Sequence, residues 1–133
     1  MSFNPDKQHT LKSSVKISGT GLHTGVMADL ILHPANPGFG YQFKRIDLPN
    51  QPVIKADCDL VTDTSRGTTL EKGNCKVSTV EHILAALVGM GVDNCLIELN
   101  GPEIPIIDGS SKPFTEIIEK SGVLEQDAAK IWY

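Results

Sequence analysis

An apolar run over residues 83–88 stands in a chain whose first hundred residues otherwise break into short stretches bounded by Gly, Pro and Asn. Around it Val80, Ile83, Leu84, Leu87 and Val88 recur at helical spacing, and Gly91 follows as a C′ residue, which predicts a helix over 78–90. The run is far too short to span a membrane, so the helix has to be buried against the rest of the chain. Most of that remainder reads as strands. Leu11, Ser13, Val15 and Ile17 alternate with polar partners and predict one half-buried strand over 11–17, broken by a glycine-rich hairpin loop over 19–25. Strand character resumes over 26–33 and stops at Pro34, and residues 39–46 alternate aromatic with polar. A short edge strand over 52–55 and a longer strand over 93–99 follow, the latter closed by Asn100-Gly101-Pro102. The Thr-rich stretch 59–70 is interrupted at Ser65-Arg66-Gly67 and stays open between strand and loop. A second helix is predicted over 112–121, where Phe114, Ile117 and Ile118 share a face and Gly122 follows. The fold class expected is α+β: a two-layer sandwich, a small mixed or antiparallel sheet with two helices on one face.

The chain has 133 residues, enough for one domain. Twelve Lys and Arg against sixteen Asp and Glu give a net charge of −4, and without a basic run there is no nucleic-acid footprint. The N-terminus lacks the apolar stretch of a signal peptide. Cys58, Cys75 and Cys95 are odd in number and form no CxxC, so reduced thiols and a cytoplasmic location are expected. Residues 128–133 read as the opening of a further strand, which suggests a piece of a longer chain.

Glu81-His82 opens the first helix and admits two readings. Ser78-Thr79-Val80-Glu81 has the S-x-x-E form of a capping box, in which Glu81 would reach back to the Ser78 N–H. A carboxylate beside an imidazole also suits a general base next to a metal ligand. Catalytic zinc usually takes three protein ligands, yet Ala85 and Ala86 stand where a second helical ligand would be, and no short spacing joins His82 to His9, His23 or His33. His23 lies among three glycines that let backbone approach a ligand closely. Asp108-Gly109-Ser110-Ser111 reads as a turn and N-cap, or as a carboxylate that orients a catalytic His. The loop 63–68 offers glycine and hydroxyls to a substrate, or is an ordinary interruption.

Four motifs occur in order: Ser18-Gly-Thr-Gly-Leu-His-Thr-Gly25, Val77-Ser-Thr-Val-Glu-His-Ile-Leu-Ala-Ala-Leu87, Asp93-Asn-Cys-Leu-Ile-Glu-Leu99 and Gly101-Pro-Glu-Ile-Pro-Ile-Ile-Asp-Gly-Ser-Ser111. In these the chain resembles the N-terminal domain of the UDP-3-O-acyl-N-acetylglucosamine deacetylases, zinc amidases that commit Gram-negative bacteria to lipid A and hence lipopolysaccharide synthesis. The resemblance implies a two-domain enzyme, with residues 1–126 as the first domain and 127–133 leading into a second. It implies that His82 is one of three zinc ligands and Glu81 the general base. The other two ligands, the general-acid His and most of the acyl-chain passage would belong to the second domain. Asp108 and His23 would support catalysis, and Gly67 and Thr68 would border the substrate, UDP-3-O-acyl-N-acetylglucosamine. Some members of that family continue into a 3-hydroxyacyl-carrier-protein dehydratase. A chain of these residues alone is expected to be inactive, to hold Zn2+ weakly, and to self-associate through an uncovered apolar helix face, since Ala85, Ala86 and Leu87 make the first helix apolar over more than one stripe. Two other readings are a non-catalytic binding or docking domain of the same fold, and a self-contained metal protein pairing His82 with His9, His23 or His33.

Overall fold

A computed structural model describes residues 6–57, 61–64 and 67–130, with the side chains of 62–64 excepted. Cys58, Ser65 and Arg66, named above, lie outside the described residues, as do residues 131–133. The elements run β1 (Lys7–Leu11), β2 (Val15–Thr20), β3 (Met27–Pro34), β4 (Tyr41–Arg45), β5 (Val53–Lys55), β6 (Val61–Thr64), β7 (Gly67–Lys72), β8 (Cys75–Ser78), α1 (Glu81–Gly89), β9 (Cys95–Leu99), α2 (Lys112–Ser121) and β10 (Val123–Ala129). The architecture is α+β, as expected.

The main sheet has the order β2-β3-β9-β4-β5. Its neighbours are antiparallel except β4 and β9, which run parallel with Phe43 opposite Ile97. A parallel pair needs a long crossover, and the chain between β4 and β9 supplies it with four strands and α1. Alternation fixes the register: Ala28, Leu30 and Leu32 of β3 and Cys95, Ile97 and Leu99 of β9 point inward and are buried. A slip of one residue would turn these sets outward. Against that face pack Ile83, Ala86 and Leu87 of α1 and Phe114 and Ile118 of α2. Short β5 is the edge strand that Pro52 predicts.

Two smaller sheets are tied to the main one through buried polar groups. Arg45 at the end of β4 forks onto Asp47 (Nε–Oδ1 2.9 Å, Nη2–Oδ2 2.7 Å) and donates from Nη1 to the Lys76 carbonyl of β8 at 2.8 Å. This anchors the sheet β6-β7-β8. Asn94, just before β9, donates to Gln8 of β1 and Gln126 of β10 at 2.9 and 2.8 Å, and accepts from the Gly40 amide at 2.9 Å. This anchors the pair β1-β10. Among the described residues, no helix is long and apolar enough to cross a membrane.

Two expectations change. The strand over 11–17 is two strands, because Leu11 ends a pairing with β10 while Val15 begins one with β3. Ser121 Oγ holds the corner between them, donating to the Ser13 carbonyl at 2.8 Å. Strand β10 over Val123–Ala129 pairs with β1, a partner that a single-sequence pattern does not reveal, while residues 131–133 of the strand anticipated at 128–133 lie outside the described residues. The first helix starts at Glu81 rather than Ser78, because Ser78 belongs to β8. Helix α2 has the bounds expected, but Ser111 caps it without its side chain.

The C-terminus of α1 follows the sequence closely. Gly91 sits at C′ with φ +73, its amide donates to Val88 O at 3.1 Å, and the Val92 amide donates to Leu87 O at 2.9 Å. That is a Schellman closure. Gly89 lies inside the helix with open space where a side chain would be. Gly89→Ala should therefore stabilise by about 0.5–1 kcal/mol, whereas Gly91→Ala should destabilise by about 1–2 kcal/mol through left-handed strain. Denaturant unfolding of the two variants checks the opposite signs.

Candidate functional site

The site is built where the 101–104 segment crosses beneath the start of α1. Ser78 donates its amide to Pro102 O at 2.9 Å and accepts from the Ile104 amide at 3.1 Å. With both backbone groups of Ser78 engaged, the chain turns into the helix through Thr79 at φ +62. A β-branched residue rarely adopts that conformation, which costs of order 1–3 kcal/mol. Buried Val80 follows, and its amide reaches Thr68 O at 3.2 Å.

The capping box is therefore absent. The Ser78 N–H is already bonded to Pro102, and Glu81 points across to β7 instead. There the Thr68 amide donates to Glu81 Oε2 at 3.1 Å. A side chain at Gly67 would lie 3.1 Å from Oε2 and 3.3 Å from Oε1, so the glycine leaves the carboxylate its place. Oε1 is buried and has no hydrogen-bond partner among the described residues. An unmade bond of this kind costs about 1–3 kcal/mol, and a substrate proton or water would relieve it. His82 is half-buried on the same first turn.

His23 joins this cluster through its backbone. Its amide and that of Thr24 point at the Glu103 carboxylate: His23 N lies 3.1 and 3.3 Å from the two oxygens, and Thr24 N lies 2.9 Å from Oε1. Glu103 also accepts from Thr79 Oγ1 at 2.6 Å. Burial alone would raise the Glu103 pKa, but the Thr79 hydroxyl and the Thr24 and His23 donors outweigh it and hold it below the ordinary value. Sequence reading quoted Glu103 within a motif but gave it no role. The signal was a carboxylate between two prolines and apolar residues, in a stretch otherwise fit for burial.

Asp108 is exposed, and its described bonds are local. It accepts from the Ser110 hydroxyl at 2.7 Å and the Ser110 amide at 3.0 Å, which hold it below the usual carboxylate range, and Ser110 Oγ takes the Lys112 amide at 3.2 Å. The turn thus orders the start of α2. His9 and His33 belong elsewhere. His9 is buried 3.8 Å from both Asp93 and Glu125, and His33 Nδ1 lies 2.7 Å from Ser14 Oγ, with Nε2 3.1 Å from Glu98. Among the described residues, no three His, Cys, Asp or Glu side chains converge as a metal would require.

The fold and site together define an α+β chain whose mixed sheet carries, at the mouth of a covering helix, an adjacent carboxylate and imidazole. The sequence pattern of the UDP-3-O-acyl N-acetylglycosamine deacetylases (LpxC) matches residues 8–133, and the chain belongs to that family. It is 53% identical over 127 residues to a bifunctional LpxC/FabZ enzyme of Bacteroides thetaiotaomicron, covering 96% of this chain and 28% of the relative. It is 52% identical to the UDP-3-O-acyl-N-acetylglucosamine deacetylase of Cellvibrio japonicus and 48% identical to that of Methylococcus capsulatus, covering 93% of this chain and 41% of each relative. The chain thus spans less than half the length of these relatives.

Because the folded-state pKa of Glu103 is depressed, the stability its carboxylate lends is complete above its ordinary value of about 4.3. It is lost as the pH falls through the folded value. Glu103→Gln should lower stability at neutral pH and flatten its decline between about pH 6 and pH 3. Urea unfolding across that range measures both effects.

Proposed function

We propose that this chain is the first half of a zinc-dependent amide hydrolase that removes the N-acetyl group of UDP-3-O-acyl-N-acetylglucosamine, releasing acetate and a free amine. The observation that carries the reading is the Glu81 carboxylate, held by one oxygen to the Thr68 amide while the other is buried and unpaired among the described residues.

The donor set suits zinc in part. His82 offers an imidazole nitrogen on the first turn of a helix, next to a fixed carboxylate, and that is the make-up of one arm of a hydrolytic zinc site. No second or third ligand accompanies it among the described residues, so the remaining ligands would come from the second domain. Zinc held there would polarise the scissile carbonyl and favour ionisation of water.

The chain's own residues do the rest. Glu81 Oε1 takes the proton of the attacking water. The Thr68 amide keeps Oε2 in place, so that only one oxygen faces the reaction, and Gly67 keeps side-chain atoms out of that contact. Gly67 and Thr68, expected to border the substrate, thereby act on the base as well. His23, exposed on its loop, lines the sugar-nucleotide end, and the turn at Asp108 orders the far side. A second domain over α1 would also cover exposed Val88; without it, this face is where self-association would occur. A cytoplasmic location fits a nucleotide-sugar substrate.

Two tests follow. The isolated chain should release no acetate from the substrate and show no tightly held zinc by equilibrium dialysis, since one imidazole does not replace the hydration of the ion. In the full-length gene product, Glu81→Gln should leave the melting temperature nearly unchanged and lower kcat by ~10²–10⁴-fold, the usual cost of losing a general base. Unfolding with normal turnover per folded molecule would instead make Glu81 a structural residue.

A further inference from the structure

We propose that Glu103 is a positioning residue that locks the His23 loop and the Glu81–His82 helix start into one fixed relation. It rests on the deacetylase reading for why those two parts must be in register; the lock itself rests on contacts.

Glu103 is 1% exposed, and it spans elements far apart in sequence. On one side two consecutive amides, His23 and Thr24, converge on it from the loop between β2 and β3. On the other, Thr79 Oγ1 donates to it from the residue two before Glu81, at the point where the backbone is strained. Its own backbone is fixed beside Ser78 by a parallel bridge and by the flanking bonds of Pro102 and Ile104. Room for the carboxylate comes from Gly21, where a side chain would approach Glu103 Oε1 to 2.2 Å and Thr24 Oγ1 to 2.6 Å.

A buried charge with three donors exceeds what a turn needs for stability. A loop of this kind closes on its own bond, here the Gly25 amide to Gly21 O at 3.1 Å. What Glu103 adds is a common origin for two parts of the site that share no other described side-chain bond. Removing it frees both at once. Neutralising it leaves three donors to share one carbonyl oxygen, with an N–H₂ turned towards at least one of them.

The test uses the full-length gene product, with hydrogen–deuterium exchange over 22–25 and steady-state kinetics. Glu103→Gln should speed exchange of the His23 and Thr24 amides by about tenfold or more and lower kcat/KM by ~10–100-fold, the range seen when a supporting hydrogen bond behind a site is lost. Thr79→Val releases only the helix side and should lower kcat with little change in KM. Gly21→Ala displaces the carboxylate on the loop side and should raise KM with faster amide exchange. Glu103→Asp, one methylene shorter, should not rescue.

Wild-type exchange and kcat/KM in Glu103→Gln would overturn the proposal. So would a fall in activity matched by the unfolded fraction in all variants. If Glu103→Gln does not fold, the opposite kcat and KM signatures of Thr79→Val and Gly21→Ala decide, and identical signatures would overturn it. Should the parent protein fail to deacetylate, the deacetylase reading falls, while amide exchange in the variants still decides whether the lock exists.

Discussion

The structure around the site depends on Ser78 spending both of its backbone groups on the 101–104 segment. With its N–H on Pro102 and its C=O on Ile104, Ser78 ends a strand and cannot cap a helix. The chain must then reverse within one residue, and Thr79 takes the left-handed conformation to do so. Its strain, of order 1–3 kcal/mol, is offset by the two Ser78 bonds and by a hydroxyl–carboxylate bond to Glu103. Hydrogen bonds contribute ~0.5–1.5 kcal/mol each, and those to charged groups ~1.5–3 kcal/mol. The strained turn delivers Glu81 facing β7 instead of its own helix. A relaxed helix start at Ser78 would have turned Glu81 back to the Ser78 N–H and away from Thr68.

The scaffold behind that turn is held by a few polar groups with demanding geometry. The inward faces of β3, β9, α1 and α2 supply the burial, but apolar contact is non-directional and does not fix how three sheets meet. Arg45 does so on one side, since its guanidinium needs both Asp47 oxygens and the Lys76 carbonyl in one plane. Asn94 does so on the other, with three described side-chain bonds reaching β1, β10 and the approach to β4. Glu103 belongs to the same class of device, joining the loop before β3 to the start of α1.

What could be read from sequence followed from local pattern. Both helices, the edge position of β5, the alternation of β3 and β9 and the Schellman glycine at 91 all depend on neighbours within a turn or a strand. What was misread depended on distant partners. The break between β1 and β2 exists because Leu11 pairs with Val123 while Val15 pairs with Leu32, and an alternation that continues through Ser13 conceals the change of partner. β10 carries too little apolar alternation to read as a strand, because its role is to cover β1. The capping box failed for the same reason: S-x-x-E is a statement about four residues, and a fifth, Pro102, had already taken the N–H.

Glu81 does not cap its own helix here. A capping-box carboxylate would accept from the Ser78 N–H of its own helix start. The carboxylate here is fixed by one amide and left with a buried oxygen that bonds to nothing among the described residues. A fold devoted only to stability would fill that position with a cap. Departures from local rules gather where function requires them, and three meet around the start of α1: left-handed Thr79, Gly67 cleared for a carboxylate, and a Glu81 oxygen with no hydrogen bond among the described residues. Their occurrence together at the mouth of α1 sets this turn apart from an ordinary helix start.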